Sequence, residues 1–277
     1  CDFESGIPKE WRLSSSVPGD IQPVAEVSKR GEGMELKLAR NAVLQMGDAV
    51  LSNFSVEATV RRQYDRSDAL VGFQFRNGYA VYLRRPGQVE LSGPNGVRML
   101  GFSRNLQTDL PLRFRVVAAG PIIRFFINGQ FEGQFVGAEE KPGPLALYQR
   151  DASQAVFFDD VVVRTEIEPD QFLVCEPISG ADPALVFSPD QEVLLRIRLT
   201  NHSGEPRKAV LKAVVDDFSG GVVSEATLPE TLVPAGEPQE AVFRFGRLPE
   251  GYYRLVVQPT GETFPLAVQT RGTVTHD

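Results

Sequence analysis

Histidine, cysteine and tryptophan are scarce: the 277 residues include two His, two Cys and one Trp. Zinc sites use Cys and His in sets of three or four, so a zinc centre built on them is nearly excluded. A Ser-His-Asp site would need His202 or His276. His202 lies in Thr200-Asn201-His202-Ser203-Gly204, a turn sequence, and His276 is next to the last residue, so both read as surface side chains. No run of eighteen apolar residues exists, so no segment reads as a membrane-crossing helix. No long amphipathic pattern is present either. A Gly-rich phosphate loop would have no helix to open, and nucleotide chemistry is not expected. Basic charge is in short supply, with 29 Lys+Arg against 36 Asp+Glu and a net charge of −7. Nucleic-acid binding depends on neutralising phosphates, so nucleic acid is not an expected partner.

What is present is a period of two. Phe54, Val56, Ala58 and Val60 alternate with Ser55, Glu57, Thr59 and Arg61. Val71, Phe73 and Phe75 alternate with Gly72, Gln74 and Arg76, and Val193, Leu195, Ile197 and Leu199 alternate with Leu194, Arg196 and Arg198. Such stretches are half-buried antiparallel strands. Turn signals separate them, among them Asn77-Gly78, Pro94-Asn95-Gly96, Asn128-Gly129 and Ser219-Gly220-Gly221. The expected fold is all-β, with two antiparallel β-sandwiches in tandem. At about 150 residues per domain the length suggests two domains. The charged, Pro-containing stretch Glu166-Ile167-Glu168-Pro169-Asp170 follows a strongly apolar strand, which places the domains at 1–167 and 168–277.

Cys175 sits in the apolar stretch Phe172-Leu173-Val174-Cys175 and reads as a buried thiol; a bond to Cys1 stays open. Cys1-Asp2-Phe3 resembles the mature start of a bacterial lipoprotein. That resemblance implies a lipid on Cys1, membrane anchoring, and a periplasmic or extracellular location. The other reading is a domain cut from a longer secreted chain.

Several stretches of the first domain resemble the concanavalin A-like lectin/glucanase superfamily, laminin-G-like sandwiches included. They are Asp2-Phe3-Glu4-Ser5-Gly6 followed by Trp11, the hairpin Val71 to Leu83, Leu112 to Val117, Ile122 to Gln130, and Phe158-Asp159-Asp160-Val161. The resemblance implies a concave sheet that holds sugar in lectin-like members. It also implies a structural calcium, for which Glu4, Asp159 and Asp160 are the matching acids. The second domain resembles a bacterial immunoglobulin-like sandwich, because Leu248-Pro249-Glu250-Gly251-Tyr252-Tyr253-Arg254-Leu255 is similar to a tyrosine corner. Tyr253 shares the register of Leu255 and Val257, so its ring should be buried and its hydroxyl bonded to the backbone.

Glycoside hydrolysis needs two carboxylates across a cleft. The sandwich glucanases carry Glu-x-Asp-x-x-Glu on one strand. Here Glu168-Pro169-Asp170 has Leu173 in place of the third acid and lies in the joint. The chain is therefore expected not to be an enzyme. Alternation turns Arg61, Gln74, Arg76, Tyr82, Arg84, Arg113 and Arg115 outward. If their strands are neighbours, they form one Arg-rich face with a Tyr, suited to acidic partner groups. Tyr64 could add a second aromatic, while Trp11 is better used in the core. The expected function is a non-catalytic, lipid-anchored scaffold subunit contacting other proteins of an envelope or inner-membrane complex. The alternative is a carbohydrate-binding module of a secreted glycoside hydrolase or adhesin, with a glycan as ligand.

Overall fold

The computed structural model describes residues 3–15, 17, 22–30, 33–62, 70–76, 78–84, 88–102, 111–151, 153–178, 185–217 and 219–270. Cys1, Tyr64 and His276 lie outside them, and so does the lipid-attachment expectation. The chain divides into two compact units, Cys1–Ile167 and Glu168–Asp277.

The first unit holds β1 (Arg12–Ser15), β2 (Val24–Arg30), β3 (Gly33–Ala39), β4 (Ala42–Leu51), β5 (Phe54–Arg62), β6 (Leu70–Phe75) and β7 (Tyr79–Arg84). It continues with β8 (Gln88–Gly93), β9 (Gly96–Phe102), β10 (Leu112–Ala119), β11 (Ile122–Ile127), β12 (Gln130–Val136), β13 (Gly143–Arg150) and β14 (Ala155–Arg164). Two seven-stranded sheets result, in the orders β1-β4-β13-β6-β7-β8-β9 and β12-β11-β10-β5-β14-β3-β2. Every pairing between named strands in these two sheets is antiparallel.

Alternation builds the core. Phe54, Val56, Ala58 and Val60 of β5 are buried and meet Phe73 and Phe75 of β6 and Phe114 of β10 in one cluster. The Phe73 and Phe114 rings stack at 5.5 Å. Trp11 packs half-buried against this cluster, edge-on to Phe3 at 5.9 Å. Between β11 and β12, Asn128 and Gly129 both take positive φ, 51° and 80°. That is the backbone a two-residue hairpin demands. Gly72 sits where β6 and β7 approach closely: a Cβ there would fall onto the Val81 carbonyl oxygen and within 2.7 Å of Tyr82 Cα.

Arg76 departs from the outward position that alternation gives it. It takes a positive φ of 47° at the end of β6, which breaks the period, and its side chain is 1% exposed. Its Nε donates to the Ser52 carbonyl at 2.7 Å and its Nη1 to the Gly120 carbonyl at 2.7 Å. The guanidinium thus ties the β4–β5 turn to the β10–β11 turn. Burial lowers its pKa, against the opposing pull of Glu140.

The second unit opens with a 3-10 turn, Pro169–Phe172. Then follow β15 (Leu173–Pro177), β16 (Leu185–Phe187), β17 (Leu194–Asn201), β18 (Arg207–Ala209) and β19 (Lys212–Asp217). The last strands are β20 (Val222–Thr227), β21 (Thr231–Val233), β22 (Gln239–Arg244), β23 (Gly251–Gln258) and β24 (Thr263–Val268). They form sheets β15-β17-β22, β16-β24-β23-β19-β20 and β18-β21. The β16–β24 pair is parallel, a departure from the all-antiparallel expectation. Leu195, Ile197 and Leu199 pack in one core with Ala213, Val215, Leu255 and Val257. Tyr253 is buried in that core and its hydroxyl donates to the Pro249 carbonyl at 2.8 Å. Cys175 is buried, and its Sγ accepts from the Thr260 hydroxyl at 3.6 Å.

Candidate functional site

The outward residues of the sheet β1-β4-β13-β6-β7-β8-β9 lie in rows set by register. One row runs Val43, Tyr148, Gly72, Tyr82, Glu90 across β4, β13, β6, β7 and β8. Two residues along, the next runs Arg12, Gln45, Ala146, Gln74, Ala80, Ser92. Gly72 offers no side chain, so the rings flanking it come together: Tyr82 and Tyr148 stack at 5.9 Å with planes 29° apart. Ala146 and Ala80 keep the next row low around Gln74.

A groove of about 420 Å³ lies along that second row, lined by Ser14, Gln45, Gln74, Pro144 and Ala146 among others. Gln45 spends its Nε2 on the Gly47 carbonyl at 2.8 Å. Gln74 is half-buried, and its amide has no partner among the described residues. Such an amide offers two donors and an acceptor to whatever occupies the groove.

Tyr82 is 5% exposed, so it is not the open aromatic platform expected from sequence. Burial first, then the Glu90 carboxylate beside it, pushes its hydroxyl pKa up to about 12. Glu90 is itself buried and accepts from Arg84 Nη1 at 3.0 Å. Tyr148 is half-buried; burial raises its pKa, and Arg150 pulls the other way. Sequence reading missed Tyr148 and Gln45. The signal was available in Pro144–Arg150, where Leu145 and Leu147 alternate inward against Ala146 and Tyr148.

The expected single Arg-rich face does not form. Gln74, Tyr82 and Arg84 lie on the sheet just described, whereas Arg61, Arg113 and Arg115 lie on β5 and β10 of the other sheet. There each cation is matched locally. Arg61 Nη2 donates to Glu35 at 2.5 Å, and the guanidinium covers Phe157 at 3.9 Å. Arg113 pairs with Glu57, and Arg115 stacks on Phe126 at 4.4 Å. Arg76 is the interior tie already described.

The acids expected to hold calcium each accept a hydrogen bond from the protein. Glu4 accepts from the Met34 amide at 3.0 Å. Asp160, at positive φ in a β-bulge, accepts from the Thr59 hydroxyl at 3.1 Å, and Asp159 accepts from the Asp160 amide at 2.8 Å. Among the described residues no three of His, Cys, Asp and Glu gather as metal ligands. Asp216 pairs with Arg254 at 3.1 Å. Asp217 closes the Ser219-Gly220-Gly221 turn, accepting from Ser219 Oγ at 2.6 Å and the Gly221 amide at 2.8 Å. His202 donates its amide to the Phe172 carbonyl at 2.8 Å, in the turn where sequence placed it.

No protein-family model matches the chain, and no curated protein matches it in sequence. Solved structures match in fold. A family 16 glycoside hydrolase endo-glucanase from Bacteroides ovatus is 11% identical with a TM-score of 0.46; the match covers 59% of this chain and 98% of that one. The carbohydrate-binding module CBM66 from Bacillus subtilis is 10% identical with a TM-score of 0.42, covering 56% of this chain and 95% of that one. An alginate lyase of polysaccharide lyase family 7 is 11% identical with a TM-score of 0.43, covering 57% and 95%. The shared feature is an all-β sandwich fold. The expectation that the chain is not an enzyme is withdrawn on this finding, because structures of this fold class include a glycoside hydrolase and a lyase. A missing motif from one glucanase group does not decide the matter.

Proposed function

We propose that the first unit binds carbohydrate in the groove on the β1-β4-β13-β6-β7-β8-β9 sheet. The observation that carries this reading is Gln74, a half-buried amide with no partner among the described residues, set in a low-floored groove one register row from a stacked tyrosine pair. An amide of this kind serves ring hydroxyls, and of the two rings the half-buried Tyr148 is the one that offers aromatic carbon to a sugar. The geometry favours this over the protein-scaffold reading, because the arginines meant for protein contact divide between two faces and most already have partners. The second unit is read as an immunoglobulin-like spacer, a reading supported by the Tyr253–Pro249 bond. A periplasmic or extracellular location is the one this reading carries with it.

Affinity electrophoresis against a panel of neutral and acidic polysaccharides tests the reading. Wild type should be retarded by at least one. Gln74→Ala should weaken that binding about tenfold, the worth of one or two hydrogen bonds. A wild-type protein retarded by none of the panel would sink the proposal.

A further inference from the structure

Two guanidinium groups stand at the tyrosine end of this face. Arg150 ends β13 in register with Leu70, and Arg84 ends β7 one step beyond the Val71–Leu83 pair. Each lies two residues on from a stacked tyrosine, so alternation turns both to the tyrosine side. Two strand spacings separate them, about 10 Å. Arg84 is held by Glu90. Arg150 is exposed and has no carboxylate partner among the described residues. Its charge and hydrogen bonding reach the Tyr148 hydroxyl. The nearest acid in sequence, Asp151, is occupied by the Ser153 amide at 2.7 Å and hydroxyl at 2.8 Å. Among the described residues this end of the face therefore carries two cations against one buried carboxylate, in a chain whose net charge is −7. An Arg fork of this kind matches a planar anion with paired hydrogen bonds.

We propose that the tyrosine end of this sheet face, beside the groove, recognises an acidic sugar, its carboxylate or sulfate held by Arg150 with Arg84 alongside. The inference rests on the carbohydrate reading above and narrows it to anionic glycans. Binding then weakens as salt rises, because a half-open ion pair is screened.

The test compares alginate and pectate, a carrageenan, and neutral β-glucan and xylan as ligands for the intact chain by affinity electrophoresis. The uronate and sulfate arms separate the two sources of negative charge. The expected result is binding of one acidic class at least about tenfold tighter than either neutral glycan. Arg150→Gln should lose about tenfold of it, Arg150→Lys should recover part, and Arg196→Gln in the second unit should lose none. Arg196 is exposed, so that control removes the same charge elsewhere. Three results would overturn the inference while leaving carbohydrate binding intact. They are neutral glycans bound as tightly as acidic ones, Arg150→Gln without effect, or an equal loss in Arg196→Gln. No binding of any glycan would remove both proposals together.

Discussion

Arg76 stays charged away from water because carbonyl oxygens from two turns converge on it. Replacing it by Met fills similar volume but strands the Ser52 and Gly120 carbonyls. Arg76→Met should cost about 3 kcal/mol in urea unfolding. A loss below about 1 kcal/mol would mean that water rescues both turns. Tyr82 gives a spectroscopic counterpart. With its hydroxyl pushed up to about 12, it should ionise late in a titration followed at the phenolate band, and Tyr82→Phe should delete that late step. Because the folded pKa is raised, the contribution to stability is complete below the ordinary value near 10 and is lost as pH climbs through 12. Asp217 has the opposite sign. The Ser219 hydroxyl, then the Gly221 amide, hold it below the usual carboxylate range. Its contribution is present above about pH 4 and is lost as pH falls through the depressed folded value. Ser219→Ala should move the Asp217 titration upward by NMR; an unmoved curve would assign the effect to the amides alone.

At the scale of the element, β6 governs the site. Gly72 lets the backbone of β7 approach and leaves room for two rings to meet over it. Gly72→Ala should destabilise the first unit by about 4 kcal/mol or more, since backbone rather than a flexible side-chain end blocks the new methyl. Thermal unfolding with a midpoint unchanged from wild type would refute that clash. The strands themselves were legible in the sequence: Val71, Phe73 and Phe75 alternate inward as the period of two requires, and so do Val193, Leu195, Ile197 and Leu199. Partners were not legible. Alternation assigns Arg61 and Gln74 to outward faces but cannot say that β5 and β6, though consecutive, enter different sheets. Nor can it foresee that Arg76, at positive φ, leaves the period at the strand's last step. The groove needed register as well as period, because its floor comes from β1, β4, β13 and β6, strands far apart in the chain.

For the whole molecule, each unit carries its own core, and neither core draws on a disulfide among the described residues. Cys175 should therefore react with a thiol reagent at the rate at which the second unit opens, slowly in buffer and at once in denaturant. Rapid labelling in buffer would show that β15 detaches by itself.

β5 holds the middle of its sheet, yet Val60 on it pairs with Phe158 of β14, the last strand of the unit. A ribosome adding about 5–20 residues per second needs roughly 5–20 s to deliver that partner. Throughout that interval the edge of β5 that β14 will cover has no native strand to pair with. The nascent chain is held open by the order in which its strands emerge, and any helper that binds extended apolar segments has those seconds in which to act.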